Sequence, residues 1–186
     1  MKINPLPITS KTGKKILIRE AKLTDSSSLI ECVKSYLNCD QIPLTREEFE
    51  EMAVNHTDWI RKFLDGKNDL LLVAEHQGEI IANIDLTVSS RKMLSHVGYI
   101  GMGVHEDWQG QGIGTCLLQH ILAWVDQNRA LDAVWLQVYA NNTAGIKLYN
   151  KLGFETTGTQ RNFIKTLSGQ YIDNIIMTRY KYQTKD

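Results

Sequence analysis

The spacing of apolar residues changes along the chain, and each change marks an element. Ile16-Leu17-Ile18-Arg19 is a short apolar run suited to a first strand. Leu29, Ile30, Val33 and Leu37 then recur at three- and four-residue steps, which predicts a helix with one buried stripe, capped by Thr24 and Asp25. Pro43 interrupts. Thr45-Arg46-Glu47-Glu48 has the form of a capping box and opens a helix carrying Phe49, Met52, Ala53, Trp59, Ile60, Phe63 and Leu64. Thr57-Asp58 divides that helix and Asp65-Gly66 ends it. The pattern then turns strand-like. Residues 70–75 read as a strand, Gln77-Gly78 as a turn, 80–88 as a second strand and 97–104 as a third, rich in glycine. Helical spacing returns over 112–126, through Ile113, Cys116, Leu117, Ile121, Trp124 and Val125. A strand over 133–139, a helix over 142–152 stopped by Gly153, and strands over 154–159 and 171–179 complete the series. Early antiparallel hairpins followed by a late βαβ crossover predict an α/β protein with a mixed sheet covered by helices.

Residues 1–14 carry two prolines and scattered lysines without an apolar run, and read as a flexible tail before a single domain over 15–182. At 186 residues the chain is long enough for one sizeable core. Lysine plus arginine equals aspartate plus glutamate at 21 each, which argues against nucleic acid as the main partner. The N-terminus lacks the hydrophobic centre of a signal peptide, and no run of about 18 apolar residues occurs, so a cytoplasmic protein without a membrane span is expected. Cys32, Cys39 and Cys116 are odd in number and fit neither a zinc site nor a redox dithiol. His56, His76 and His120 show no ligand spacing, and no metal is expected.

The sharpest local feature is Gln109-Gly110-Gln111-Gly112-Ile113-Gly114-Thr115, which follows a strand and opens a helix. Missing side chains let the backbone approach a ligand closely. The unpaired amides of a first helical turn, aided by the helix dipole, suit a phosphate or pyrophosphate. Gln109 offers a further amide donor. A P-loop would need a lysine after the last glycine, and none is present. A dinucleotide fingerprint would need a third glycine where Thr115 stands, and an acid at the end of the next strand, where Val138-Tyr139-Ala140-Asn141 has none.

Gln109-x-x-Gly112-x-Gly114 resembles the coenzyme A signature of the GNAT superfamily of N-acetyltransferases. Asn142 leading a helix to Leu148-Tyr149, followed by Gly153-Phe154, resembles that family's second signature. The likeness runs over about residues 16–180. It implies a central mixed sheet splayed between strands 97–104 and 133–139, with helices on both faces and the pantetheine arm of acetyl-CoA in the gap. It implies that backbone groups near Met102, Gly103 and Val104 bond the arm, with Asn142 on the other side. Amides of Gly110, Gln111, Gly112, Ile113, Gly114 and Thr115 would hold the pyrophosphate. Homodimers are common in that family.

Acetyl transfer to an amine makes three demands. The amine must lose a proton from a pKa of about 10, the oxyanion needs a fixed donor such as an amide near Val104, and the thiolate needs a proton or a strong hydrogen bond. The resemblance puts Tyr149 near the sulfur as the acid. Many relatives carry a glutamate base where Tyr99 stands here. That departure leaves Tyr99, Asp85 or a water chain touching them as the deprotonating path. Asp85 alternates with Asn83 and Thr87 on one face of its strand, and His96 lies upstream of Tyr99.

The expected function is transfer of an acetyl group from acetyl-CoA to a primary amine of a small molecule or of a protein N-terminus, by direct attack in a ternary complex. A coenzyme A-binding sensor without chemistry is the alternative; the presence of Tyr149 favours the enzyme. The segment 24–65 and a loop near 160–170 are expected to line the acceptor site, with Tyr36, Trp59 and Phe163 as aromatic candidates against the commoner role of core packing.

Overall fold

The computed structural model describes residues 3–37, 42–52 and 56–181. Cys39 and Ala53 lie outside the described residues, as does the C-terminal end of the expected domain, residue 182. Eight strands form one sheet: β1 (Leu6–Thr9), β2 (Lys15–Glu20), β3 (Leu70–His76), β4 (Glu79–Val88), β5 (Val97–Val104), β6 (Ala133–Tyr139), β7 (Glu155–Lys165) and β8 (Tyr171–Tyr180). Their order is β1-β2-β3-β4-β5-β6-β8-β7. The pairing of β5 with β6 is parallel and the rest antiparallel. The helices are α1 (Ser26–Tyr36), α2 (Arg46–Met52), α3 (His56–Asp65), α4 (Ile113–Gln127) and α5 (Thr143–Lys151).

The alternation along each strand sends its apolar residues to opposite faces, and both faces are covered. On one face Ile18, Leu72, Ile84, Ile100, Val134 and Leu136 pack with Leu117, Leu118 and Ile121 of α4. On the other, Leu71, Val73 and Ile80 pack with Leu29 and Val33 of α1 and Ile60 and Phe63 of α3.

Residues 3–14, expected as part of a tail, do not form one. Leu6 pairs with Ile18 and Ile8 with Ile16, and Ile3, Leu6 and Ile8 pack against the larger core. Four residues are too few for a period to be legible, and Pro7 is tolerated because β1 is an edge strand. The expected cap of α1 also differs. Asp25 makes no side-chain cap. Its carboxylate instead takes both terminal guanidinium nitrogens of buried Arg19, at 2.7 and 2.9 Å. Leaving that charge unpaired would cost far more than a missing cap. The capping box of α2 forms as expected, with Thr45 N donating to Glu48 Oε2 at 2.8 Å and Glu48 N to Thr45 Oγ1 at 3.2 Å. Gln77 and Gly78, with φ of 52° and 88°, make the tight turn between β3 and β4.

One irregularity of the sheet matters most. β5 and β6 are in register only through Val97↔Ala133, Gly98↔Val134 and Tyr99↔Trp135. Beyond Tyr99, β5 stays with β4 as far as Ala82↔Val104, and β6 stays with β8 as far as Tyr139↔Asn174. The sheet therefore splits into a V. The Tyr99 and Trp135 rings, 4.7 Å apart, sit at its apex.

Candidate active site

The V opens into a cavity of about 660 Å³. Past Tyr99, the β6-facing backbone of β5 has no strand partner. Unpaired main chain of this kind can bond an extended ligand as a strand would. Met102, Gly103 and Val104 line this stretch, and Gln137 and Val138 line the facing one.

At one end of the cavity lies the glycine loop. Gly110 and Gly112 have φ of 73° and 88°, where a side chain would strain the backbone. A Cβ on Gly110 would meet nothing within 4 Å, so the space above it is open. α4 begins at Ile113, and its first bond to a preceding carbonyl is Cys116 N to Gly112 O. The amides of Ile113, Gly114 and Thr115 thus have no partner within the helix and lie in the cavity wall. This donor set and open cradle fit the diphosphate of coenzyme A. The side chains of Gln109 and Gln111 are otherwise engaged. Gln109 donates to the Val104 carbonyl at 3.1 Å and Gln111 to the Asp107 carbonyl at 3.1 Å. Each bond uses one of the two N–H groups of its amide and braces the loop.

Asn142 stands at the head of α5 and lines the cavity. Its Oδ1 accepts from Gly145 N at 2.8 Å, which makes it the N-cap. A Cβ on residue 145 would lie 2.9 Å from that amide, so the cap needs glycine there. Seven residues on, Tyr149 reaches the cavity from the same helix, buried and edge-on to Phe154 at 5.9 Å. Burial, and then the neighbouring Tyr99, push its phenol up to about 12.

Across the V, Asn83 and Asp85 of β4 and Tyr99 of β5 line the cavity. Asp85 is in register with Gly101, whose missing side chain leaves room for the carboxyl: a Cβ there would lie 2.7 Å from Oδ1. Burial pushes Asp85 up to about 7; Lys62 opposes the rise and Asp69 adds to it. Tyr99 is raised too, first by burial and then by the charge of Asp85. Three sequence candidates, Asp85, Tyr99 and Tyr149, are therefore brought to one cleft. His96 is not among them: it is exposed, just before β5.

Above Asp85 the wall is apolar, with Val33, Leu37, Leu44, Phe49 and Trp59. Tyr36 donates to Asn83 Oδ1 at 2.9 Å and packs against Gly103, where a Cβ would clash with its ring. Tyr36 and Trp59 thus shape the cavity as expected. Phe163 does not: residues 155–165 continue as β7, and Phe163 is 54% exposed and outside the wall. The loop expected near 160–170 is a hairpin, held by Thr166 N to Gln170 O at 2.8 Å.

Sequence reasoning missed Lys11. It lines the cavity, its backbone amide donates to the Gln111 carbonyl at 3.2 Å, and its stem lies over Gly112. Read as part of a tail, it carried no signal in one sequence. Among the described residues, no group of three or more His, Cys, Asp or Glu is placed to hold a metal, and no helix is long and apolar enough to cross a membrane.

Residues 31–154, more than half of the chain, match the family model described as Acetyltransferase (GNAT) family. The L-amino acid N-acetyltransferase AaaT of Escherichia coli (strain K12) is 27% identical over 169 residues, covering 89% of this chain and 98% of its own. The [Ribosomal protein bS18]-alanine N-acetyltransferase of the same organism is 34% identical over 112 residues, covering 56% of this chain and 74% of its own. The solved acetyltransferase of GNAT family from Streptococcus pneumoniae superposes with a TM-score of 0.77 at 26% identity, covering 89% of this chain and 99% of that one.

Proposed function

Because the chain belongs to the GNAT acetyltransferase family, we propose that it transfers the acetyl group of acetyl-CoA to a primary amine borne on an apolar body, by direct attack within a ternary complex. The observation that carries this reading is one cleft with a main-chain cradle at one end and Asp85, Tyr99 and Tyr149 around its middle. Acetyl-CoA supplies the activated thioester. Asp85, Tyr99 and Tyr149 supply proton handling and orientation.

Asp85 accepts the proton of the incoming ammonium. From an ordinary aspartate at about 3.9 to an alkylamine at about 10, transfer would be uphill by roughly 6 units; with Asp85 at about 7 it is uphill by roughly 3, about 4 kcal/mol. Tyr99 stands between Asp85 and Tyr149 in this electrostatic chain and relays or orients that proton. As the C–N bond forms and the C–S bond breaks, Tyr149 presents its O–H to the sulfur. At about 12 the phenol stays neutral at working pH. Full transfer to a thiolate of conjugate acid near 8.5 is uphill by roughly 3.5 units, about 5 kcal/mol. Donating a charge-assisted hydrogen bond is therefore the larger part of its task, with the proton supplied from solvent as product leaves. An amide of β5 beyond Tyr99 serves the carbonyl oxygen.

The acceptor end supports an amine on an apolar body: apolar side chains roof a single carboxyl. The AaaT relative is named for L-amino acids and the other for a ribosomal protein alanine, so both a small molecule and a protein N-terminus are within this reading. A cytoplasmic site of action goes with the use of acetyl-CoA. The test is a screen of amines with acetyl-CoA, reading released thiol. Phenethylamine, phenylalanine, phenylalaninamide and a peptide with an apolar first residue are compared with polyamines. Turnover confined to the apolar acceptors is expected. No thiol release with any amine, despite coenzyme binding, would favour a sensor instead.

A further inference from the structure

The turn that joins β1 to β2 lies against the glycine loop rather than in solvent. Ser10 N donates to Lys14 O and Gly13 N to Ser10 O, both at 2.9 Å, and Gly13 takes a φ of 82°. Buried Ser10 braces the turn from inside, its Oγ accepting from Thr12 N at 3.3 Å and Lys14 N at 3.2 Å. Three contacts then tie the turn to residues 108–112. Lys11 N donates to Gln111 O, Thr12 Oγ1 donates to Gln111 Oε1 at 2.7 Å, and Lys14 Nζ lies 4.2 Å from the centre of the Trp108 ring.

That docking fixes the backbone of Lys11 beside the open cradle. A Cβ on Gly112 would lie 3.8 Å from Lys11 Cε, so the end of the stem runs past the residue whose neighbours offer the first free amides of α4. Lys11 is the only Lys or Arg among the described residues lining the cavity, and it has no ion-pair partner among the described residues. A cation on a flexible stem, anchored at its backbone and left without a counter-charge, is complementary to an anion held by the amides.

We propose that Lys11 binds the diphosphate of coenzyme A, so that the N-terminal hairpin is a second jaw closing on the cofactor opposite the α4 amides. The inference rests on the acetyl-CoA reading above. The residues on this jaw are distant in sequence from both family signatures, and its contribution is to affinity and orientation of the nucleotide end rather than to chemistry at the thioester.

The experiment is calorimetric titration of wild type, Lys11→Gln and Lys11→Arg with coenzyme A and with 3′-dephospho-coenzyme A, at low and high salt. It is paired with turnover of acetyl-CoA and of S-acetylpantetheine, which has no phosphate. Lys67→Gln, an exposed lysine that is not part of the cavity wall, is the control. Lys11→Gln is expected to weaken both coenzymes about tenfold and to flatten the salt dependence. S-acetylpantetheine turnover should stay unchanged, and Lys11→Arg should restore most of the affinity. Unchanged affinity in Lys11→Gln overturns the proposal, as does a loss seen with coenzyme A alone, which would assign the contact to the ribose phosphate. An equal loss with S-acetylpantetheine also overturns it, because that marks a structural role. Wild type that binds neither coenzyme sinks the acetyl-CoA reading itself, a result distinct from these.

Discussion

On the α4–α5 side of the cleft, what faces a ligand is mostly main chain: amides at the head of α4 and the unpaired edges of β5 and β6. On the α1–α3 side it is mostly side chain: an apolar roof, the Tyr36–Asn83 pair and Asp85. Main-chain recognition needs open φ/ψ space, caps and glycines, and tolerates almost any other residue around them. Side-chain recognition depends on identity at every position. The first kind suits a cofactor whose shape never varies, and the second an acceptor that differs between relatives.

The largest expected effect lies where the two sides meet. Tyr149→Phe should lower kcat by roughly 10²–10⁴-fold and leave the acetyl-CoA KM nearly unchanged. Steady-state kinetics decide it, and a large rise in KM with intact kcat would move Tyr149 to the binding side of the comparison.

Asp85→Asn comes next, with a fall in kcat/KM of roughly 10²-fold and a changed pH profile. Wild type should gain activity as pH rises through about 7, and the variant should lose that limb. Stability should move the opposite way. The Asp85 pKa is raised from 3.8 to about 7 on folding, so the folded chain keeps a proton that the unfolded chain releases between those values. No penalty exists below about pH 3. It grows as pH rises through that window and reaches about 4 kcal/mol above it. Urea titrations should therefore find the variant more stable than wild type at pH 8 and equal to it at pH 3.

The smallest effects separate the sides most cleanly. Gly112→Ala forces a side chain into the left-handed region, at a cost of about 1–2 kcal/mol, and should raise the acetyl-CoA KM several-fold. Gly103→Ala should push the Tyr36 ring aside, break its bond to Asn83 and raise the acceptor KM instead. If both variants changed the same constant, the division of labour would be wrong.

How much of this was legible follows from the same distinction. Gly112 and Asn142 could be read because backbone geometry and cap chemistry restrict those positions to few residue types, and Gln109, Gly114 and Tyr149 through their place in the two family signatures. Tyr149 was placed in the cleft through the resemblance, because its spacing with Ile146 and Leu152 is by itself that of a packed helix face. The apolar roof was legible only in part: the segment 24–65 and Trp59 were expected there, but Val33 and Leu37 have the spacing of any packed helix. Phe163 was misplaced because a loop was expected where β7 continues. The docked hairpin was invisible for another reason: its bonds join Thr12 to Gln111, ninety-nine positions apart, and no local pattern encodes them. Asp25 was read as a cap because Arg19 sits on another element and its demand for a counter-ion is tertiary.

Trp108 lines the cavity with the Lys14 ammonium over one side of its ring and His76 packed 4.8 Å away. An indole in that setting is an optical gauge: its emission responds to the electric field of whatever fills the space beside it. Coenzyme binding is therefore expected to change the protein's own fluorescence, with no label attached, over the background of its three other tryptophans.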